Sequence, residues 1–155
     1  MDKKRATLVF VIVNDNVLMI NRNKPPFMGL WNALGGKVKD NESIFECAKR
    51  EVKEESGLDV VDLELFSTFT WNYDSEIGYA FKAYVDSGIE FKFPLNTDEG
   101  IIDLKPIDWV IDPKNYGVIE DLRVFLTDIK NDVKQDYHLV YKGKKLKKAK
   151  KVNNK

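Results

Sequence analysis

The sequence predicts a mixed α and β fold in which helices pack on a β-sheet. Strand-like segments outnumber helical segments, and one helical segment is embedded between strands. The chain has 155 residues, of which 43% are hydrophobic and 12% aromatic, and this is enough to build one core. We therefore expect a single domain over residues 1–140, followed by a lysine-rich tail over residues 141–155.

The N-terminal part of the chain is predicted to be a β-hairpin followed by a loop. Residues 7–13 and 17–20 are rich in β-forming side chains, and they flank three turn-forming residues at 14–16. Residues 21–34 hold two prolines and a glycine among aromatic side chains. This composition favours a loop with anchored side chains over a helix.

The first helix is predicted over residues 43–56. Ser43, followed three residues later by Glu46, is a capping-box pattern, which marks the start of a helix. Gly57 suits the left-handed conformation that commonly ends a helix. Start and stop signals therefore both lie in the sequence of this one segment.

The remaining elements are predicted from composition and periodicity. Residues 60–73 and 78–85 are rich in aromatic and β-branched side chains, and they resemble a pair of strands. Residues 94–105 look like a loop, and residues 107–111 look like a short strand. A second helix is predicted from the periodicity of residues 116–129.

The charge distribution separates the body of the chain from its tail. The chain has 25 basic and 25 acidic residues, yet residues 141–155 contain eight lysines and no acids. The body keeps 17 basic against 25 acidic residues, a net charge of about −8. Carboxylates repel phosphates, so such a body needs metal ions to handle polyanions. We expect a disordered or frayed, solvated tail, with non-specific nucleic-acid contact as the alternative.

Several functional classes are excluded by what the chain lacks. A single cysteine, Cys47, cannot form an intramolecular disulfide or a cysteine-based metal site. A single histidine, His138, does not provide a histidine-based metal site, and we expect it at the surface. The longest apolar run, residues 8–13, is too short to span a membrane. We expect a cytoplasmic protein and leave its oligomeric state open.

The predicted first helix carries acids where an amphipathic helix carries apolar residues. At 100° per residue, Glu51 and Glu55 fall within about 20° of Ile44, with Glu54 beside them. Buried, unpaired carboxylates are costly, so a hard divalent cation among them is one interpretation. The other is a solvated acidic face balanced by neighbouring lysines and an arginine.

Residues 36–58, GKVKDNESIFECAKREVKEESGL, resemble the complete Nudix box. The constrained positions are Gly36, Glu42, Arg50, Glu51, Val52, Glu54, Glu55, Gly57 and Leu58. The resemblance implies a Nudix-type α/β/α sandwich with a mixed β-sheet, in which the box forms a metal-binding loop, helix and loop. It also implies hydrolysis of a nucleoside diphosphate linked to another group.

The resemblance further assigns roles within the box. The carboxylates that it assigns to Mg²⁺, or to Mn²⁺, are Glu51, Glu55 and, directly or through water, Glu54. The backbone carbonyl of Gly35 or Gly36 would add one more oxygen. Arg50 would orient a neighbouring carboxylate rather than touch the substrate.

An acid outside the box completes the metal site in similar enzymes, and Glu99 is the candidate here. It lies in the loop at residues 96–100, where an ordinary turn acid is the competing interpretation. The general base that takes the proton of the attacking water stays open among Glu51, Glu54 and Glu99.

Substrate preference is predicted from residues around the box. Residues 29–38, GLWNALGGKV, resemble the segment before the box in Nudix enzymes that hydrolyse oxidised purine nucleotides. Asn32 would then contact the purine through its amide, unless it bonds its own backbone. Arg22 and Lys37 would hold phosphate oxygens, unless they are solvated surface cations.

Other candidate contacts to the base are weaker. Phe27, Trp71 and Tyr73 would stack on a base or fill the core, and we expect Trp31 in the core. In the oxidised-purine enzymes, acids that read the base lie in the region corresponding to residues 112–118. Here the polar candidates in that region are Asn115 and Asp112, and this departure weakens the purine assignment.

The leading functional hypothesis is an 8-oxo-dGTP diphosphatase-like enzyme that releases a nucleoside monophosphate and pyrophosphate. ADP-ribose, dinucleoside polyphosphates and other nucleoside triphosphates are alternative substrates within the same family. A non-catalytic nucleotide sensor is an alternative of a different class. A sensor would be expected to lose one of the box glutamates, and none is lost.

Overall fold

The computed structural model describes residues 4–25, 27–72, 76–86 and 91–152. The strands are β1 (Arg5–Val13), β2 (Asn16–Arg22), β3 (Trp31–Ala33), β4 (Val60–Trp71), β5 (Ile77–Val85), β6 (Leu95–Thr97), β7 (Gly100–Pro106), β8 (Asp136–Lys142) and β9 (Lys145–Val152). The helices are α1 (Ile44–Ser56), α2 (Ile107–Ile111) and α3 (Asp121–Asn131).

A mixed sheet with helices on both faces forms the centre of the structure. Its strand order is β6-β7-β2-β1-β5-β4-β8-β9, and β3 also pairs with β2. The pairs β1–β5 and β4–β8 are parallel, while the other pairs are antiparallel. One face packs on α1 through a core that includes Val9 and Val52, and the other on α3 through a core that includes Phe10 and Phe125. The predicted mixed fold of helices on a sheet is confirmed.

Local sequence signals correctly located the first hairpin and the first helix. Strands β1 and β2 pair across a turn in which Asn14 adopts a left-handed φ of 55°. Ser43 Oγ accepts the Glu46 amide at 3.0 Å, and Glu46 Oε1 accepts the Ser43 amide at 3.0 Å. Gly57 ends the helix at a φ of 79°. The strand pair predicted after this helix is also present, as β4 and β5.

Three predictions of secondary structure were wrong because pairing between distant segments decided the outcome. Residues 31–33, expected in a loop, form β3 on β2, and residues 94–105, also expected in a loop, contain the hairpin β6–β7. Residues 107–111 form α2 instead of a strand. A short apolar run fits either element, and the preceding proline suits a helix start.

The predicted second helix begins later than its periodicity suggested. Helix α3 starts at Asp121, five residues after the predicted start at 116. The preceding segment pairs with β3, because the Trp31 amide donates to Gly117 O at 2.8 Å and the Ile119 amide donates to Trp31 O at 3.1 Å. Tertiary hydrogen bonds thus replace the first helical turn.

The expectation of a disordered tail was also wrong for most of its length. Residues 136–142 form β8, and residues 145–152 form β9, which pairs with β8 at the edge of the sheet. A lysine-rich segment can form a strand because backbone hydrogen bonds do not depend on side-chain polarity. Leu146 and Ala149 also add contacts to the core. Within the described ranges, no helix is long and apolar enough to cross a membrane.

Candidate active site

The two adjacent glycines before α1 bring the chain into close contact with β1 and with a carboxylate. Gly35 has a φ of 139°, and a Cβ there would lie 2.0 Å from Thr7 O. A Cβ on Gly36 would lie 2.6 Å from Glu51 Oε1. Side chains at these positions would displace the strand or the carboxylate, so the site requires glycine at both.

Glu55 is held on the inner side of α1 by the glycine loop. Its Oε1 accepts the Gly35 amide at 2.9 Å. Burial raises the pKa of Glu55 to about 8 despite this hydrogen bond, and the charges of Glu51 and Glu99 raise it further. Burial also raises the pKa of Glu51, while Arg50 opposes the shift. These carboxylates are therefore desolvated and lie close to one another.

Arg50 connects the carboxylates of the helix to the loop before it. Its Nε and Nη2 donate to Glu42 at 2.7 and 3.0 Å, and its Nη1 donates to Glu51 at 2.8 Å and Glu54 at 3.1 Å. The Lys37 carbonyl accepts a further bond at 3.2 Å. The hydrogen bonds from Arg50 to the Glu42 carboxylate lower the pKa of Glu42 to about 2. Such contacts are those expected of a residue that orients neighbouring carboxylates.

A cavity of about 390 Å³ brings the box acids together with the turn between β6 and β7. Its lining residues are Glu51, Glu54, Glu55, Thr97, Asp98 and Glu99. The Glu99 carbonyl accepts the Asn23 amide at 3.1 Å, which ties this turn to the end of β2. The structure thus brings Glu99 to the box acids. Asp98 also lines this cavity and was not among the site residues predicted from the sequence.

The donor set fits a hard divalent cation that keeps part of its coordination for water and phosphate. Five of the six residues that line the cavity are acids, and Glu55 is half-buried beside like charges. Among the described residues, no three or more acids, histidines or cysteines lie in an arrangement that could hold a metal ion by themselves, so water and substrate oxygens would have to complete the coordination. Sites for Mg²⁺ are commonly of this open kind, with one or two carboxylates and substrate phosphates as ligands.

The two glycine carbonyls differ in their hydrogen bonding. The Gly36 carbonyl accepts the Thr7 amide at 2.8 Å and lies 3.3 Å from Thr7 Oγ1. It therefore belongs to the contact with β1. The Gly35 carbonyl accepts no backbone hydrogen bond from the described residues, which leaves it the better candidate for an additional oxygen ligand.

The two candidate phosphate-binding cations occupy different places. Arg22 ends β2 beside Gly100, and its charge acts on Glu55. The side chain of Lys37 is 75% exposed and points to Glu76, with Nζ 3.9 Å from Oε1. Lys37 is not among the residues that line the cavity. Its position favours the interpretation as a solvated surface cation.

The candidate base-reading amides also differ. Asn32 Oδ1 accepts the Ala33 amide at 2.8 Å, and Nδ2 donates to no described residue. Asn115 Nδ2 donates to Trp109 O at 2.9 Å, and its Oδ1 accepts the Gly117 amide at 3.0 Å. The Asn115 side chain therefore structures its own loop, whereas Asn32 keeps a donor for a ligand.

The remaining aromatic candidates lie mostly against the core. Trp31, Phe27 and Trp71 are partly buried and pack on the α3 side of the sheet. Lys105 Nζ also lies 4.5 Å from the Trp31 ring centroid, so the expected core position of Trp31 is accompanied by a cation contact. Tyr73 lies outside the described residues.

The chain is similar in sequence to known Nudix proteins. The model of the NUDIX domain matches residues 2–122. The chain is 37% identical over 73 residues to an oxidized purine nucleoside triphosphate hydrolase of Danio rerio, covering 47% of each protein. It is 29% identical over 76 residues to the NAD-capped RNA hydrolase NudC of Vibrio atlanticus, covering 49% of this chain and 28% of that protein. The matched segments thus span less than half of these curated relatives.

Solved structures show the same fold. A MutT protein from Bacillus halodurans superposes with a TM-score of 0.77 at 24% identity, covering 96% of this chain and 97% of that one. An ADP-ribose pyrophosphatase from Streptococcus suis superposes with a TM-score of 0.61 at 20% identity, covering 83% and 92%. Nudix hydrolases generally use divalent metal ions. From its box, its acidic cavity and the matched domain, the chain belongs to the Nudix hydrolase family.

Proposed function

We propose that this protein hydrolyses a phosphoanhydride bond of a nucleoside polyphosphate with the help of Mg²⁺, with Mn²⁺ as an alternative ion. The observation that carries the proposal is the cavity in which Glu51, Glu54, Glu55 and Glu99 converge. Polyphosphates are anions, so an acidic cavity can hold them only with cations in between. A divalent ion bound there supplies charge neutralisation and lowers the pKa of a water molecule.

In this proposal, different residues position the metal ligands and accept the proton of the attacking water. Gly35 donates its amide to Glu55, and Arg50 donates to Glu51, so both carboxylates are oriented before any ligand enters. We assign the metal to Glu51, Glu55 and the Gly35 carbonyl. The side chain of Glu54 is 55% exposed, and together with Glu99 it supplies the candidate acceptors for the proton of the attacking water.

The preferred substrate in this proposal is an oxidised purine nucleoside triphosphate such as 8-oxo-dGTP. Asn32 retains an amide donor in β3, where it pairs with Ile20 of β2, three residues before Gly35 of the glycine loop. The similarity to the oxidized purine hydrolase of Danio rerio supports the same substrate class. The products are a nucleoside monophosphate and pyrophosphate, and the reaction would act on the cytoplasmic nucleotide pool.

A second candidate is a substrate in which a diphosphate joins two larger groups. The similarity to the NAD-capped RNA hydrolase of Vibrio atlanticus supports this class, and the acidic cavity suits any diphosphate. ADP-ribose, dinucleoside polyphosphates and capped RNA belong to it. The bond attacked and the carboxylates used would be the same, so only the groups flanking the diphosphate differ.

The test is a product assay with Mg²⁺ across 8-oxo-dGTP, dGTP, the other common nucleoside triphosphates, ADP-ribose, diadenosine polyphosphates and NAD. Selective conversion of 8-oxo-dGTP to its monophosphate and pyrophosphate supports the preferred substrate. Preference for ADP-ribose, NAD or a diadenosine polyphosphate supports the second candidate. Binding of these nucleotides without any turnover would support a sensor and overturn the proposal of hydrolysis.

A further inference from the structure

One face of the β8–β9 hairpin carries four lysines. The direct cross-strand pairs on this face are Asp136 with Val152, His138 with Lys150, Val140 with Lys148, and Lys142 with Lys145. Residues paired directly across two strands project from the same face of a sheet. All four lysines are exposed, so we call this surface the lysine face, formed by Lys142, Lys145, Lys148 and Lys150.

The opposite face of the same hairpin fixes the orientation of the lysine face. Tyr137, Leu139 and Tyr141 are buried in the core on the α3 side, and Leu146 and Ala149 pack against them. Rotating or slipping the hairpin by one residue would expose these apolar side chains. The lysines are therefore held in place on a sheet and are not carried on a mobile tail.

No lysine of this hairpin has an acidic partner among the described residues, whereas five lysines of the body do. Five body lysines lie within 4 Å of a carboxylate, namely Lys37, Lys53, Lys105, Lys130 and Lys134. No lysine between 142 and 151 does so among the described residues. Lysines can protect an edge strand from aggregation, but β9 carries five of them in eight residues. Like charges gathered on one face favour a polyanionic partner.

A polar pair on β4 and β8 adjoins the lysine face. Thr70 pairs with His138, and Thr70 Oγ1 lies 2.7 Å from His138 Nδ1. The other ring nitrogen of this half-buried histidine bonds no described residue. It offers a hydrogen bond beside Lys150, the cross-strand partner of His138.

The lysine face lies on the same side of the sheet as the helix of the box. Thr68 projects to the same face as Thr70, because side chains two apart on a strand share a face. Thr68 pairs with Tyr79, and Tyr79 pairs with Thr7, whose hydroxyl lies 3.5 Å from Cys47 Sγ in α1. From β1 to β9 there are four strand spacings, roughly 19 Å at about 4.8 Å each.

We propose that the lysine face binds the phosphate backbone of single-stranded RNA. Lys148 and Lys150 lie two residues apart along β9, about 7 Å, so they meet successive phosphates, and the cross-strand pair of Lys142 and Lys145 extends the row. The histidine nitrogen bonds a ribose 2′-hydroxyl, the group that separates RNA from DNA. This inference concerns a surface remote from the carboxylates, so it stands whether or not the proposed hydrolytic function holds.

The test is binding of a fluorescein-labelled single-stranded RNA 12-mer to the full chain, followed by fluorescence anisotropy in EDTA. Without divalent ions, hydrolysis does not interfere with the measurement. The triple variant Lys145→Gln, Lys148→Gln, Lys150→Gln is compared with a control in which Lys49, Lys92 and Lys114 are changed to Gln. Both sets are exposed and remove the same charge.

The expected result is a loss of tenfold or more in affinity for the hairpin variant and less than threefold for the control. The slope of log affinity against log salt should also fall by about 2, for three lysines at about 0.7 each. Equal losses in both variants would show only a general charge effect and would overturn the proposal. Unchanged binding by the hairpin variant would overturn it as well.

Two further binding measurements, with DNA and with lipid vesicles, distinguish RNA from other polyanionic partners. One variant, His138→Ala, tests the contact to the ribose. DNA of the same sequence should bind severalfold more weakly, and His138→Ala should remove that preference while the salt slope is kept. Equal affinity for DNA and RNA would overturn the assignment to RNA. Co-sedimentation with phosphatidylserine vesicles at salt concentrations that abolish RNA binding would point to a membrane surface and overturn it too.

Discussion

Two carboxylates, the half-buried Glu55 and the buried Asp121, have pKa values raised by desolvation but lie in different surroundings. Burial raises the pKa of Glu55 to about 8 and that of Asp121 to about 6. Glu55 faces a cavity that it shares with other carboxylates. Asp121 begins α3, is almost completely buried and bonds the side chain of Tyr141. Desolvation alone therefore does not identify a functional acid; access to a cavity with further ligands does.

The largest expected effect follows from removing the charge of Glu55. Glu55→Gln keeps the shape of the side chain and can keep the bond from the Gly35 amide, so the fold should be retained. Turnover should fall by about a thousandfold, since several kcal/mol of metal-dependent stabilisation would be lost. Product release under saturating Mg²⁺ measures this effect. Unchanged turnover would contradict the assignment of Glu55 as a metal ligand.

Asp121→Asn should alter stability but not catalysis. The folded-state pKa of about 6 exceeds the usual 3.8, so the folded protein binds this proton more tightly than the unfolded chain does. This contribution to stability is therefore present below about pH 4 and lost as pH rises through about 6, a difference of up to about 3 kcal/mol.

The difference in unfolding free energy between Asp121→Asn and the wild type, measured by urea titration from pH 4 to pH 7.5, reports this contribution. The variant should gain relative stability with increasing pH, while its turnover should stay within twofold of wild type. A difference that is flat with pH would mean that Asp121 is ionised at no cost. Loss of turnover would contradict the distinction between the two acids.

Glu99 should matter less than Glu55 but more than its neighbour. Both Asp98 and Glu99 line the cavity, whereas the charge of Glu99 acts on Glu51 and Glu55. We expect Glu99→Gln to lower kcat by about 10- to 100-fold, about 1.4 to 2.7 kcal/mol. The matched variant Asp98→Asn should stay within threefold. Steady-state kinetics on both variants test this prediction. A larger loss of kcat in Asp98→Asn than in Glu99→Gln would assign the functional role in this turn to Asp98.

The smallest effect is expected at Lys37. Its exposed ammonium faces Glu76, and solvent-exposed pairs of this kind contribute little. Lys37→Gln should change KM by less than twofold, whereas Arg22→Gln should raise KM by about tenfold through loss of a charge-assisted contact to phosphate. A large KM change at Lys37 would instead place that lysine on the substrate.

The box and its helix could be predicted because their determinants are local. The capping box at Ser43 and the stop at Gly57 set the helix bounds, and spacing alone put Glu51 and Glu55 on its inner face. The contact of Gly36 with Glu51 was not predictable, since it arises only when the loop folds back on the helix.

The C-terminal half was harder to predict because its elements are determined by partners distant in sequence. Strand β7 forms on β2, and β9 forms on β8 although most of its residues are lysines. Composition predicted a solvated tail, which describes one face of β9 correctly. The other face packs on the core through Leu146 and Ala149, two small apolar contacts that composition could not weigh against the five lysines of β9.

Mn²⁺ binding provides the most direct test of the distinction between Glu55 and Asp121. Free Mn²⁺ is measured by electron paramagnetic resonance during titration of the wild type, Glu55→Gln and Asp121→Asn. The wild type and Asp121→Asn should bind with equal affinity, while Glu55→Gln should bind at least tenfold more weakly. Equal binding by all three proteins would contradict the account, because the cavity would then not be the metal site.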